Sequence, residues 1–312
     1  MSFDDERPLS YDAPGLNVHG KTIPGEQSMS QTTITVLCEN TAAGPMGLLG
    51  EHGFAALIQG RNGPILFDTG QSISLANNAR VLGIDLRDID TVVLSHGHYD
   101  HTGGLPDVLK PPRNVEIISH PDIFRPKYAE LQGPQGPVRP FIGIKYRREY
   151  LQGACGARFT FHSQPTEIRP GMLFSGEVPR KTDFEHPDTR LKVEQNGQLG
   201  EDPLLDDASL LVETESGPVI LLGCAHAGVV NVMNHFAEQT GHRRFHAVIG
   251  GTHLGFMGGP GPQLDKAMDA FDDYGVELIG VAHCTGQEAA ALCRHRFKDR
   301  FAFASVGWSR TF

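Results

Sequence analysis

His96, His98, Asp100 and His101 put four metal-ligating side chains into six consecutive residues. In an extended segment, residues two apart share a face, so His96 and His98 can hold one ion together. Asp100 and His101 follow as the chain turns and can aim at a second ion beside the first. Imidazole and carboxylate are ligands that Zn²⁺, Mn²⁺ and Fe²⁺ accept while leaving positions open for water. Two such ions about 3.5–4 Å apart sharpen a bridging hydroxide and stabilise a leaving oxygen. The expected cofactor is therefore two divalent metal ions, zinc first, with manganese or iron as alternatives. The expected chemistry is hydrolysis of an ester, lactone, thioester or phosphoester by metal-bound hydroxide, with Asp100 as the catalytic residue that orients the nucleophile.

Such a cluster needs rigid elements behind it. Thr91–Leu94 is a short apolar run bounded by polar residues, the pattern of a buried strand, and it leads directly into His96. Upstream, Thr33–Cys38, Ala55–Gln59 and Ile65–Phe67 read as strands, the last two joined by a turn at Arg61–Pro64. Ser74–Leu82 reads as a helix closed by Gly83, Gly104–Leu109 as a short helix, and Val115–Ser119 as a strand. Residues 121–165, rich in Pro and Gly, are expected to form loops and edge strands that cover a pocket. Further strands are expected at Leu173–Phe174, Ser209–Glu213, Val219–Leu222, Ala247–Ile249, Glu277–Val281 and Phe301–Val306. Helices are expected at Val229–Gln239, Gln263–Tyr274 and Gln287–His295. Each half begins with strands, and strand ends carry His or Asp before a helix starts. That order predicts an α/β protein, an αββα sandwich with two sheets face to face and helices outside.

The His-x-His-x-Asp-His run, together with Ile65-Leu66-Phe67-Asp68-Thr69-Gly70, resembles the metallo-β-lactamase superfamily. More narrowly, the chain is similar to the class II metal-dependent hydrolase branch, which includes the 7,8-dihydropterin-6-methyl-4-(β-D-ribofuranosyl)aminobenzene-5'-phosphate synthases. The matching pieces are Glu51-His52-Gly53, Leu173–Arg180, Gly223-Cys224-Ala225-His226-Ala227-Gly228, Gly250–Leu254 and Ala282-His283-Cys284-Thr285-Gly286. The resemblance implies His226 and His283 as the later metal ligands, with His253 as a further metal or pocket candidate. It also implies a carboxylate bridging both ions, expected after the Gly that closes the strand Val219–Leu222. Here Gly223 is followed by Cys224. Either Cys224 contributes a thiolate, or His226 takes over, or an acid such as Asp206, Asp207 or Glu177 reaches in.

Metal-binding histidines usually donate their other N–H to a carboxylate, and Asp68 at its strand end is the expected partner. His52, Glu177 and Arg180 are candidates for substrate contact, because a phosphate- or carboxylate-bearing small molecule calls for forked donors. Besides hydrolysis, the resemblance leaves open a synthase-like transfer that displaces a pyrophosphate-like group from a pterin methyl carbon. A non-catalytic ligand-binding protein on the same fold is a third reading, since fold alone does not choose the chemistry.

The bulk numbers set limits on partners. A formal net charge of −10 argues against nucleic acid. Five scattered Cys without a paired spacing read as reduced thiols of a cytoplasmic protein. No long apolar run predicts a membrane span. Residues 1–30 are polar and aperiodic and read as an N-terminal arm, followed by one domain over 31–312. The 121–165 excursion, which needs cover, suggests a homodimer.

Overall fold

The computed structural model describes residues 31–44, 47–256 and 259–312, so the expected arm at 1–30 lies outside the described residues. Residues Gln31–Phe312 form one compact unit. The first half opens with antiparallel β1 (Thr33–Cys38) and β2 (Ala55–Gln59), to which β3 (Ile65–Phe67) adds antiparallel. Helix α1 (Ser74–Val81) leads to β4 (Thr91–Val93), parallel to β3. Two short helices, α2 (Tyr99–Thr102) and α3 (Leu105–Val108), lead to β5 (Val115–Ser119), parallel to β4. The excursion follows as β6 (Lys127–Ala129), a hairpin of β7 (Leu131–Gly133) and β8 (Gly136–Val138), and α4 (Arg148–Gly153). It returns through β9 (Ala157–Phe161), which pairs with β5.

The second half starts with β10 (Thr166–Arg169) and β11 (Met172–Phe174), then a hairpin of β12 (Leu191–Gln195) and β13 (Gln198–Glu201). Hairpin β14 (Ser209–Thr214) and β15 (Gly217–Leu222) precedes α5 (Val229–Thr240), which Gly241 ends in the left-handed region. Three parallel strands alternate with helices thereafter. They are β16 (Ala247–Gly251), α6 (Gln263–Asp273), β17 (Leu278–Ala282), α7 (Gln287–Phe297) and β18 (Phe301–Phe303). The chain closes with β19 (Ser309–Thr311).

One seven-stranded sheet has the order β19-β1-β2-β3-β4-β5-β9 and the other β10-β11-β14-β15-β16-β17-β18. The side-chain period of two explains how they stack. Val93 of β4 and Leu210, Val212 and Leu221 of the other sheet share the core between the sheets. Their neighbours point outward, Val92 and Leu94 against Leu75 of α1 and Leu105 of α3, and Ile220 and Leu222 against Met233 of α5 and Phe271 of α6. Strands apolar on both faces thus give the expected αββα sandwich.

One expectation needs correction. The last strand was expected to run to Val306 but stops at Phe303, because Ala42 takes Val306 in an isolated bridge. There the chain leaves the second sheet, and β19 becomes an edge strand of the first. The 121–165 excursion contributes the expected edge strands, among them β6, which pairs with β12, a strand the periodicity did not reveal.

Candidate metal centre

The candidate ligands sit just past the ends of parallel strands. Asp68 follows β3, the His96–His101 run follows β4, and His226, His253 and His283 follow β15, β16 and β17. Asp68, Ala225, His253 and His283 all have φ between 49° and 59°. Side chains with a Cβ are held in that left-handed region at about 1–3 kcal/mol each, a cost that concentrates where function fixes the backbone. The tight turn also dictates glycine. A Cβ on Gly103 would lie 1.8 Å from the Gln71 carbonyl oxygen, and one on Gly53 2.4 Å from that of Asp100.

Among the described residues, donor atoms converge in four overlapping groups, two of them through Cys224. His96, His98 and His226 each offer a ligand atom within 4.8 Å of the others, and so do His52, Asp100 and His283. Asp100 Oδ2 lies 3.1 Å from His52 Nε2, 3.3 Å from His283 Nε2 and 3.8 Å from His101 Nε2. Cys224 Sγ is 3.3 Å from His101 Nε2. Donors sharing one tetrahedral ion at bond lengths of 2.0–2.3 Å stand roughly 3.3–3.7 Å apart, so these separations suit a metal.

Hydrogen bonds on the far side of each ring decide which nitrogen is free. Ser95 Oγ donates to Asp68 at 2.7 Å and therefore accepts from His96 Nδ1 at 2.9 Å. Asp68 also accepts from His101 Nδ1 at 2.7 Å, and Asn40 Oδ1 accepts from His283 Nδ1 at 2.9 Å. In all three rings Nε2 keeps its lone pair and faces the cluster. His98 Nδ1 lies 2.9 Å from His96 Nε2, and His226 Nε2 is buried without a hydrogen-bond partner. Lone pairs crowded together in a buried space repel unless a cation lies among them. The donor set thus fits divalent metal.

The electrostatics agree. Burial, then the neighbouring imidazoles of His101, His98 and His226, holds His96 well below the ordinary histidine range. Burial likewise lowers His98 to about 3 and His283 to about 4, and pushes His226 well down. These rings are neutral ligands at neutral pH. His101 moves the other way, because Asp68 and then Asp100 outweigh its burial. For Asp100, burial is outweighed by His101, His283 and His52, which hold the carboxyl well below its usual range.

The cluster floors a cavity of about 300 Å³. Its walls include Leu131, Phe141 and Ile142 from the excursion, Leu191 from β12, and Phe256, with Arg190 fixed by Asp188 at 2.8 Å. His253 lines this cavity, its ring 4.5 Å from that of His226, but it joins none of the ligand groups. His52 stands at the edge beside Phe256 and contacts Asp100 directly.

Two expected substrate contacts lie elsewhere. Arg180 donates to the carbonyls of Pro203 and His226, a structural task, and Glu177 pairs with His120. Neither lines the cavity. The arginine that does, Arg190, gave no local signal because its position depends on the β12 pairing. Asn40, which orients His283, lies 243 residues away in sequence and was equally hidden.

The profile of the metallo-β-lactamase superfamily matches residues 49–272, and the chain belongs to that superfamily. Within it, the chain is 31% identical over 283 residues to the 7,8-dihydropterin-6-methyl-4-(β-D-ribofuranosyl)-aminobenzene-5'-phosphate synthase of Methanocaldococcus jannaschii, covering 88% of this chain and 94% of that protein. A solved metal-dependent hydrolase of the β-lactamase superfamily superposes with a TM-score of 0.75 at 29% identity, over 89% of this chain and 98% of the other. The metallo-β-lactamase fold protein YhfI of Bacillus subtilis, at 13% identity and a TM-score of 0.56 over 90% of this chain and all of that one, shares the fold.

Proposed function

We propose that this chain is a metal-dependent hydrolase acting on a small ester, lactone, thioester or phosphoester, with a dinuclear site at the floor of its cavity. The carrying observation is the convergence of the His96/His98/His226 group and the Asp100-centred group, each beneath one apolar cavity. His96, His98 and His226 would hold one ion, and Asp100, His101 and His283 the other. Bound there, divalent ions supply Lewis acidity and lower the pKa of water. The chain does the rest. Asp68, Ser95 and Asn40 lock ring tautomers, and His52 steadies Asp100 from the open side. Leu131, Phe141, Ile142 and Phe256 receive the apolar part of the substrate and exclude water. Arg190 is the cation along this wall and takes a carboxylate or phosphate on the substrate.

A second reading rests on the relationship to the synthase, which extends over nearly the full length of both proteins. On that reading the same pocket joins a dihydropterin activated at its methyl carbon to a ribofuranosylaminobenzene phosphate. Among the described residues Arg190 is the one arginine that lines the cavity, which favours a substrate of modest charge and hence hydrolysis. The test is a panel of esters, lactones, thioesters and phosphodiesters, run beside the coupling reaction on zinc- and manganese-loaded protein. Turnover of a panel member that chelator abolishes supports hydrolysis. Coupling without hydrolysis of any panel member replaces it with the synthase reading.

A further inference from the structure

We propose that Cys224 supplies a sulfur ligand shared by the two metal positions, where a bridging carboxylate is expected. This rests on the dinuclear reading above. Cys224 Sγ, His96 and His101 offer donor atoms within 4.8 Å of one another, so the sulfur lies within reach of a ligand proposed for the first ion and of one proposed for the second. The same sulfur also groups with His283, a ligand proposed for the second ion, and with Cys284. Asp68 accepts the hydrogen bond from His101 Nδ1, so the Nε2 lone pair faces the sulfur at 3.3 Å. That separation is what two ligands of one zinc ion show.

Two of the competing acids, Asp206 and Glu177, are paired elsewhere, and the third stands outside the ligand groups. Asp206 gives one oxygen to Lys127 and the other to the Gly97 amide, both at 2.8 Å. Asp207 accepts the amide of Ala227 through one oxygen; its other oxygen is buried without a partner but joins no ligand group. Glu177 is on His120, and His226 belongs with His96 and His98. The adjoining end of β16 brings no carboxylate. A Cβ on Gly251 would lie 2.6 Å from Cys284 Sγ, and the Thr252 hydroxyl is bonded to Thr285 at 3.0 Å. Among the described residues, the sulfurs of Cys224 and Cys284 remain at this point, and of the two Cys224 alone also groups with His96 and His101.

On metal uptake the thiol S–H bond breaks, a sulfur–metal bond forms, and the proton leaves to bulk water, with no change of oxidation state. A thiolate at the shared position favours zinc or cobalt(II) over manganese or magnesium. The nearby Cys284 thiol, which donates to the Cys224 carbonyl, provides the control.

The experiment is zinc X-ray absorption on the zinc-loaded protein and on its Cys224→Ser and Cys284→Ser variants. The expected result is a sulfur scatterer at about 2.3 Å in the native protein and in Cys284→Ser, lost in Cys224→Ser. Should Cys224→Ser not fold, the other two spectra still decide. A native protein holding two zinc ions with only nitrogen and oxygen neighbours overturns the thiolate and spares the dinuclear site. So does a sulfur signal that disappears in Cys284→Ser. Failure to take up zinc at all removes both.

Discussion

The ammonium of Lys127, on a strand of the pocket wall, lies 2.8 Å from Asp206, and both side chains are buried. The other oxygen of Asp206 accepts the amide of Gly97, the residue between His96 and His98. A second buried acid, Asp202, holds Lys127 at 2.8 Å. The wall of the pocket is thereby tied to the loop that carries two of the ligands. Removing one partner leaves an uncompensated buried charge, at about 3–5 kcal/mol. Lys127→Met is expected to lower stability by about that amount in chemical denaturation and to weaken metal binding at His96 and His98. Adding Asp202→Asn and Asp206→Asn should recover most of the stability; no recovery would show that the lysine acts through packing alone.

Asp68→Asn tests the support behind the rings. Asparagine tolerates the left-handed φ of 59° at this position, so the turn is expected to survive. The acceptor shared by His101 and Ser95 is weakened, and metal affinity is expected to fall roughly 10–100-fold. Competition with a chromophoric chelator measures this. Unchanged affinity would assign Asp68 to the turn alone.

The buried histidines make the metal-free protein acid-sensitive. His98 and His283 titrate at about 3 and about 4 when folded, against 6.5 for an ordinary histidine. Between these values the unfolded chain binds more protons than the folded one, so stability falls as pH drops from 6.5 toward 4. Each such ring contributes up to about 1.4 kcal/mol per pH unit. Denaturation of chelator-treated protein at pH 7 and pH 5 reads the slope. The slope should shrink in His283→Gln, and a pH-independent stability contradicts the burial of neutral rings.

Arg190→Ala is expected to raise KM roughly tenfold for substrates bearing a carboxylate or phosphate, with kcat little changed. Neutral analogues should show no such rise. Asp188 holds the guanidinium at 2.8 Å, and Asp188→Asn is expected to act in the same direction through loss of its orientation. Equal effects on charged and neutral substrates would make Arg190 a wall residue only.

The sandwich was legible because β4, β15 and β16 are apolar on both faces and end in His or Asp, a pattern that local sequence carries. The first candidate ligands stood out for the same reason: His96, His98, Asp100 and His101 share one short segment. Candidate ligands from separate strands, His226 and His283, required the resemblance, since nothing local distinguishes them from His253. What stayed hidden depends on distant pairing. Arg190 reaches the cavity through the pairing of Leu191–Val193 with Lys127–Ala129, and Asn40 meets His283 across the sandwich. Arg180 lay in the motif but was drawn off by backbone carbonyls, which no spacing reveals.

Metal content, measured by mass spectrometry on the purified native protein and on His98→Ala, tests the central claim most directly. Two rings of imidazole and carboxylate beneath one cavity predict about two equivalents of divalent metal per chain, falling clearly in the variant. A native protein that holds no metal and takes up none on reconstitution contradicts the dinuclear site and the chemistry built on it.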